Sequence, residues 1–259
     1  WPRITNPKVK FPLNDENLEA VKKEEEKAIN EIKEAIANNK DDIAGLIIEP
    51  IQGEGGDNQF RKEFFLKLRE ICDENEIMFI IDEVQTGVGM TGKWWAHQHY
   101  VQPDIISFGK KMQVCGVLST DRIDEIEDNV FKVSSRINST WGGNIVDMVR
   151  SQRVLEIIQE DNLVQNAEIM GKYLLNKIYE FQNKYDGKID NGRGVGLFAA
   201  FDCETPELRN KIISSAMENN LIILGSGEKS LRFRPNLAIK QKEIDECFAI
   251  LDKVLSKLI

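Results

Sequence analysis

Apolar residues recur three or four positions apart in several long stretches of the chain. In the first stretch, the apolar residues at helical spacing among Glu and Lys are Leu18, Val21, Ala28, Ile29, Ile32 and Ile36. The pattern predicts an amphipathic helix over roughly residues 15–39, with a solvated charged face. The same spacing predicts further helices over about residues 61–75, 144–159, 163–184, 206–219 and 241–258.

Three continuous apolar runs have the length of buried strands. They are IAGLII (43–48), IMFIID (77–82) and DIISF (104–108). Because these runs do not alternate with polar residues, they are typical of parallel strands covered on both faces. A helix and loops separate them, which indicates an α/β layer architecture.

The second half of the chain has a different pattern. Shorter strands are predicted at 193–202, 221–224 and 231–235, each close to a predicted helix. Mixed short strands with helices on one side favour a smaller α+β domain. We therefore expect two domains, over residues 1–145 and 146–259.

Composition narrows the class of protein. The net charge of −9 argues against nucleic acid or an anionic membrane as the main partner, because both need a clustered basic face. The four cysteines are far apart without a CxxC pair, which disfavours a disulfide framework or a zinc site and favours the reducing cytoplasm. No apolar stretch is long enough to span a bilayer. The chain opens on Trp and Pro without an initiator Met, which indicates the start of a fragment.

Polar residues that could carry chemistry follow the predicted parallel strands, where open α/β sheets place ligands. Gln52 and Glu54 follow the first strand, Asp82 and Gln85 the second, and the pair Lys110–Lys111 the third. A lysine amine and a carboxylate on one rim of a sheet are what a pyridoxal phosphate site requires.

Each of these residues also has a simpler interpretation. A carboxylate at a strand end often only caps the next helix, and adjacent lysines are usually solvated. His97 and His99 alternate in WWAHQHY, but residues two apart on a helix point in different directions and no third ligand is evident, so we do not expect a metal site.

Taken together, the motifs resemble a known family. The motifs are IIEPIQGEGGDNQF, FIIDEVQTGVGMTGKWWAHQ, PDIISFGKKMQVCG, NSTWGGN, RGVGLFAAF and LRFRPNL. This series is similar to the class III pyridoxal phosphate-dependent aminotransferases of fold type I, and GKKMQVCG and STWGGN are typical of their lysine-specific branch. The resemblance extends over essentially the whole chain and implies a partial large domain, with a parallel-rich sheet, followed by the C-terminal small domain.

The resemblance also implies roles for individual residues. Lys110 is expected to bind pyridoxal 5'-phosphate covalently and to move the proton at the substrate carbon, while Lys111 is structural. Asp82 is expected to hold a proton on the pyridine nitrogen. Gln85 is expected to contact the ring oxygen. Thr140, with Ser139 beside it, is expected to bind the cofactor phosphate of the neighbouring subunit in a homodimer.

The implied reaction moves the ε-amino group of L-lysine to 2-oxoglutarate, giving 2-aminoadipate 6-semialdehyde and glutamate. Arg232 is expected to bind a substrate carboxylate, because a guanidinium fork matches two oxygens. Glu54 is expected to neutralise Arg232 while lysine is processed and to swing away when 2-oxoglutarate enters.

Two alternatives stay open. The chain resembles, less closely, class III enzymes that act on other ω-amines, such as ornithine or 4-aminobutyrate. It could also be an inactive fragment or a noncatalytic subunit. The family implies a segment before residue 1 that contains the phosphate-binding loop and the aromatic residue stacked on the pyridine ring, and neither element is found in this sequence.

Overall fold

The computed structural model describes residues 2–137 and 139–259, so Asn138, the first residue of the NSTWGGN motif, lies outside the described residues. The helices of the described chain are α1 (Asp15–Asn38), α2 (Lys62–Glu74), α3 (Ile145–Glu160), α4 (Leu163–Lys184), α5 (Pro206–Glu218) and α6 (Gln241–Leu258). The strands are β1 (Gly45–Ile48), β2 (Ile51–Gln52), β3 (Asn58–Gln59), β4 (Met78–Asp82), β5 (Ile105–Phe108), β6 (Gly116–Ser119), β7 (Ile189–Val195), β8 (Phe198–Cys203), β9 (Leu224–Ser226) and β10 (Ser230–Phe233). All six predicted helices are confirmed to within one residue at each end.

The first sheet has the order β1-β4-β5-β6. The pairs β1–β4 and β4–β5 are parallel, as predicted, while β6 is an antiparallel edge strand that the apolar pattern did not indicate. We expected both faces of this sheet to be covered, and for the described chain that expectation is wrong. Burial alternates along β4, with Phe79 and Ile81 fully buried against α2, and Ile47 of β1 is 50% exposed.

The second sheet is antiparallel, with the order β7-β8-β10-β9. The single strand predicted at 193–202 is two strands, because the chain reverses at Gly196, whose φ of 57° is in the region that favours glycine. The strand predicted at 221–224 begins only at Leu224. A bulge between Asp190 and Arg193 lengthens β7.

Buried apolar side chains form two cores. One lies between α1, α2 and the first sheet. The other lies between the second sheet and α4, α5 and α6, and it also includes Ile51, Val88 and Met90 from the first half of the chain. Segments that follow β1 and β4 therefore pack against the second core, and this places the ends of the parallel strands beside the antiparallel sheet.

No helix in residues 2–137 and 139–259 combines the length and apolar content that crossing a membrane requires.

Candidate active site

Asp82 is the last residue of β4 and lies at the carboxyl end of the parallel strands. In the sheet it is paired with Ser107 of β5. Its Oδ1 atom accepts hydrogen bonds from the Ser107 hydroxyl at 2.9 Å and from the Val84 backbone N–H at 3.0 Å. These two donors orient the carboxylate at the sheet rim, where the sequence predicted an acid.

Lys110 follows the end of β5 by two residues. Gly109 is extended, and Lys110 begins a single 3₁₀ turn that runs to Met112. Lys110 has a φ of 46°, which is uncommon for a residue with a Cβ atom and costs on the order of 1 kcal/mol. Its side chain is exposed. The turn therefore holds Lys110 in a strained conformation at the same rim as Asp82.

Lys111 has a different environment. Its Nζ atom donates a 2.7 Å hydrogen bond to the backbone carbonyl of Gln85. Burial, together with the positive charge of the neighbouring Arg234, lowers the pKa of Lys111 to about 8. The amine of Lys111 thus joins the loop after β4 to the turn after β5, which agrees with a structural role.

Glu54 and Arg232 form an ion pair, with 2.6 Å between Oε1 and Nη1. The Arg232 side chain is 13% exposed, on the central strand β10, whereas that of Glu54 is 71% exposed. The hydrogen bond from Arg232 lowers the pKa of Glu54, and the charge of Lys110 acts in the same direction. The fold thus brings together two residues that are 178 positions apart in sequence and were predicted to be partners.

Gln85 connects this ion pair to the strand ends. Its side-chain amide packs directly on Gly53, where a Cβ atom would lie 2.5 Å from the amide atoms. Gly53 also donates its N–H to Glu49 Oε2 at 3.0 Å. A side chain at position 53 would therefore displace the Gln85 amide from its place against the loop that bears Glu54.

Ser139 and Thr140 are exposed, in a turn where the Ser139 carbonyl accepts a hydrogen bond from the Gly142 N–H at 3.2 Å. In the described residues, no hydrogen bond or ion pair joins either side chain to Asp82 or Lys110. The structure therefore does not bring them into the group formed by the other candidates, and their role stays a prediction.

The two histidines have protein partners. His97 Nδ1 lies 3.1 Å from a carboxylate oxygen of the buried Glu83, and His99 Nε2 lies 3.2 Å from the Thr91 carbonyl oxygen. Burial lowers the pKa of His99. Both rings thus help to hold the segment between β4 and β5.

Charged residues that the sequence patterns did not single out surround the Glu54 loop. Glu49, just after β1, has its pKa raised by burial and by the nearby charges of Asp82 and Glu54. Arg193 and Asp57 are almost fully buried. Arg193 donates to the Asp57 carbonyl across 136 residues, so no local spacing could have identified the contact.

Comparison with known proteins identifies the family of the chain. Residues 1–255 match the family described as Aminotransferase class-III. The chain is 44% identical over 256 residues to an L-lysine-epsilon aminotransferase of Mycobacterium tuberculosis, and 43% identical over 253 residues to that of Streptomyces clavuligerus. These alignments cover 98% and 97% of this chain, but 56% and 55% of the relatives. A probable 4-aminobutyrate aminotransferase of Caenorhabditis elegans is 36% identical, with 53% of its length covered.

Solved structures give the same picture. A lysine aminotransferase from M. tuberculosis superposes with a TM-score of 0.96 at 43% identity, over 100% of this chain and 59% of that one. An ornithine aminotransferase from Plasmodium yoelii has a TM-score of 0.79 at 28% identity, over 89% of this chain and 61% of that one. The chain spans about half the length of the curated relatives it matches. It belongs to the class-III aminotransferase family.

Proposed function

We propose that the protein containing this chain is an L-lysine 6-transaminase that transfers the ε-amino group of L-lysine to 2-oxoglutarate, yielding 2-aminoadipate 6-semialdehyde and glutamate. The observation that carries the proposal is the Glu54–Arg232 ion pair at 2.6 Å. Glu54 can neutralise this arginine or leave it free. That suits an enzyme with one substrate that has a carboxylate at its reacting end and another that has none there.

The residues at the strand ends fit pyridoxal 5'-phosphate, the cofactor of this family. Lys110 would attach it, Asp82 would hold a proton on the ring nitrogen, and Gln85 would contact the ring oxygen. Asp82 suits this task because Ser107 and Val84 both donate to its Oδ1 atom, and the structure shows no such donor on Oδ2 among the described residues. When bound, the cofactor supplies the electron-withdrawing ring that makes the amine-bearing carbon acidic.

Lys110 is the group that we propose moves the proton at the substrate carbon. Its amine is exposed, whereas that of Lys111 is bound to the Gln85 carbonyl, so the two lysines are not interchangeable. The fixed position of Lys111 supports its assignment as a structural residue.

Arg232 would bind the carboxylate next to the keto group of 2-oxoglutarate through its guanidinium fork. The arginine is held on the central strand of the second sheet, paired with Ala200 and Leu224. Glu54 is the partner that moves, because its side chain is mostly in solvent. With Glu54 in place the pair is neutral, which suits the ε-amine end of lysine, where there is no carboxylate. With Glu54 displaced, the cation is available to a carboxylate of 2-oxoglutarate.

The proposal includes a homodimer in which Ser139 and Thr140 of one subunit bind the cofactor phosphate of the other. Support comes from their exposed position and from the exposed apolar side chains just after them, including Trp141 and Ile145. We also propose that the protein is cytoplasmic, because its four cysteines are free thiols.

The test uses the intact purified protein with added pyridoxal 5'-phosphate. We expect a visible absorbance band from lysine-bound cofactor, and borohydride reduction followed by peptide mapping should place the label on Lys110. Lys110→Ala should remove the label and lower the transamination rate by at least about 1,000-fold, because both cofactor attachment and proton transfer are lost. Lys111→Met is the matched control and should retain the label. Label spread over exposed lysines would contradict the assignment.

The choice of amine substrate is tested by glutamate formation from 2-oxoglutarate. L-Lysine should exceed L-ornithine and 4-aminobutyrate as the donor, in line with relatives at 42–44% identity against 36%. A preference for either of the other amines would replace the substrate assignment. No glutamate from any of the three would instead favour a noncatalytic protein.

A further inference from the structure

The loop between β2 and β3 bears Glu54, and its backbone is held at several points. The Gly53 N–H donates to Glu49 Oε2 at 3.0 Å, and the Glu54 carbonyl accepts from the Gly227 N–H at 2.9 Å. Gly56 and Gly227 are in such close contact that a Cβ atom on Gly227 would lie 2.8 Å from the Gly56 Cα atom. The exposed Glu54 side chain thus extends from a backbone with little freedom.

Arg193 of β7 holds the other end of the loop. Its side chain is 2% exposed, and its Nε atom donates to the Asp57 carbonyl at 3.1 Å. Its Nη2 atom donates to the Gly56 carbonyl, to Asp202 Oδ1 at 2.9 Å and to the Ser230 hydroxyl at 2.8 Å. One guanidinium therefore links two loop carbonyls to two neighbouring strands, β8 and β10.

A second arginine holds the same loop through a carboxylate. Arg234, two residues after Arg232, pairs with the buried carboxylate of Asp57 at 2.5 Å. Its guanidinium also lies 3.2 Å from the centre of the Phe198 ring. The loop is thus attached to β7 and to the residues just before and just after β10, the strand that carries Arg232.

The buried guanidinium of Arg193 needs an opposite charge and acceptors for its N–H donors, because a buried charge without them is strongly destabilising. Asp202 supplies the opposite charge. Burial raises the pKa of Asp202, but the charge of Arg193 and the hydrogen bonds from Asn191 and Ser230 outweigh this and hold it below its usual value. The carbonyls of Gly56 and Asp57 accept from the remaining donors of this guanidinium, so the contacts that satisfy Arg193 also hold the loop.

We propose that Arg193 is a positioning residue for the Glu54–Arg232 pair. By fixing the carbonyls of Gly56 and Asp57, it keeps the loop backbone in place, so that Glu54 joins and leaves Arg232 by side-chain rotation alone. The inference rests on the proposed function of Glu54 and Arg232 and adds a residue that touches neither substrate nor cofactor.

The first test is backbone amide hydrogen exchange in the intact protein. The amides of Gly56 and Asp57 are bonded to the Gly53 carbonyl, so they report on loop opening. Arg193→Gln should speed their exchange at least about tenfold, because a charged donor to two carbonyls is lost. Arg193→Lys should give a smaller increase, since an ammonium keeps the charge but lacks the planar fork.

Arg69→Gln is the matched control for this measurement. Arg69 is also largely buried, and it pairs with Asp104 at 2.8 Å in the first core, without a contact to the Glu54 loop. The Arg69→Gln variant should lower the global stability and leave the amide exchange of Gly56 and Asp57 close to that of the wild type. Equal exchange in all three variants and the wild type, or equal acceleration in Arg69→Gln, would overturn the proposal.

The second test separates positioning from a general structural role. Arg193→Gln should lower the ratio of kcat/KM for L-lysine over that for 2-oxoglutarate by about five- to tenfold, because only the lysine half-reaction needs Glu54 held on Arg232. In the Glu54→Ala background the same substitution should leave this ratio unchanged. An equal effect in both backgrounds would show that Arg193 does not act through Glu54.

The proposed transaminase function and the positioning role of Arg193 can be tested separately. If the wild-type protein transfers no amino group, the proposed function is wrong, while amide exchange still decides whether Arg193 holds the loop. If transamination is observed and exchange in the loop does not depend on Arg193, only the positioning role is wrong.

Discussion

Lys110 and Lys111 are adjacent residues whose amines have opposite environments, and Lys111 allows a test by pH. Burial is the main cause that lowers the pKa of Lys111 to about 8; repulsion from Arg234 and Lys110 contributes to this shift, and the attraction of Glu83 limits it. In the unfolded chain a lysine titrates near 10.4. Between these values the unfolded state binds the proton and the folded state does not, so stability from this group rises with pH.

We therefore expect the unfolding free energy of the wild type, relative to Lys111→Met, to increase by about 2 to 3 kcal/mol between pH 7 and pH 10.5. Denaturant unfolding at several pH values measures this difference. Lys172→Met, which removes an exposed amine from α4, is the control. A difference for Lys111→Met that stays flat with pH, or a rise of the same size for Lys172→Met, would contradict the buried amine.

The sequence predicted some site residues and missed others for a physical reason. Asp82 and Lys110 follow apolar strands, and parallel strands place their carboxyl ends on one rim, so their proximity follows from chain order alone. The pairing of Glu54 with Arg232 came only from the family resemblance. Arg193 was missed because a buried arginine has the same local pattern as a surface one, and the loop carbonyls that it binds are more than 100 residues away in sequence.

At the scale of elements, the helices were predicted well because each has a long apolar stripe. The strands were predicted less well. The beginning of β7, IDNG, is polar and does not read as a strand, and Gly196 lies within an apolar run that hides the turn to β8. Strand β6 contributes few buried side chains, so its pairing with β5 leaves little trace in the apolar pattern. Tertiary hydrogen bonding, not local spacing, decides these elements.

The packing of α4 on the β7–β8 turn depends on Gly171. A Cβ atom there would lie 2.2 to 2.4 Å from the backbone atoms of Gly196, which is too close for side-chain adjustment to relieve. Alanine is favoured over glycine in a helix by about 1 kcal/mol, but overpacking against backbone costs about 1 to 3 kcal/mol or more. We expect Gly171→Ala to destabilise the protein by about 2 kcal/mol, since the displacement involves the backbone of both elements.

Thermal and denaturant unfolding check this expectation. Lys172→Ala, on the exposed side of the same helix, is the matched control and should change stability by less than about 0.5 kcal/mol. An unchanged or higher stability of Gly171→Ala would mean that α4 does not approach the turn as closely as described.

At the scale of the whole molecule, an apolar surface lies at the start of α3. Trp141 and Ile145 are each 78% exposed, and Val146, Met148 and Val149 are also exposed. Single exposed apolar side chains are common on protein surfaces, whereas contiguous groups of them are rare and mark interaction sites. The surface follows Ser139 and Thr140 directly, so a second subunit bound here would lie next to the residues proposed to bind its cofactor phosphate.

We expect Ile145→Glu combined with Val149→Glu to weaken self-association of the intact protein at least about 100-fold, because two unpaired carboxylates would be buried at the contact. Analytical ultracentrifugation gives the mass, and circular dichroism checks that the fold is retained. Ile169→Glu replaces an exposed apolar residue of α4 outside this surface and should leave the mass unchanged. A dimer that persists in the double variant would show that the subunits meet at another surface. A monomeric wild type would exclude the proposal that Ser139 and Thr140 bind the cofactor phosphate of a second subunit.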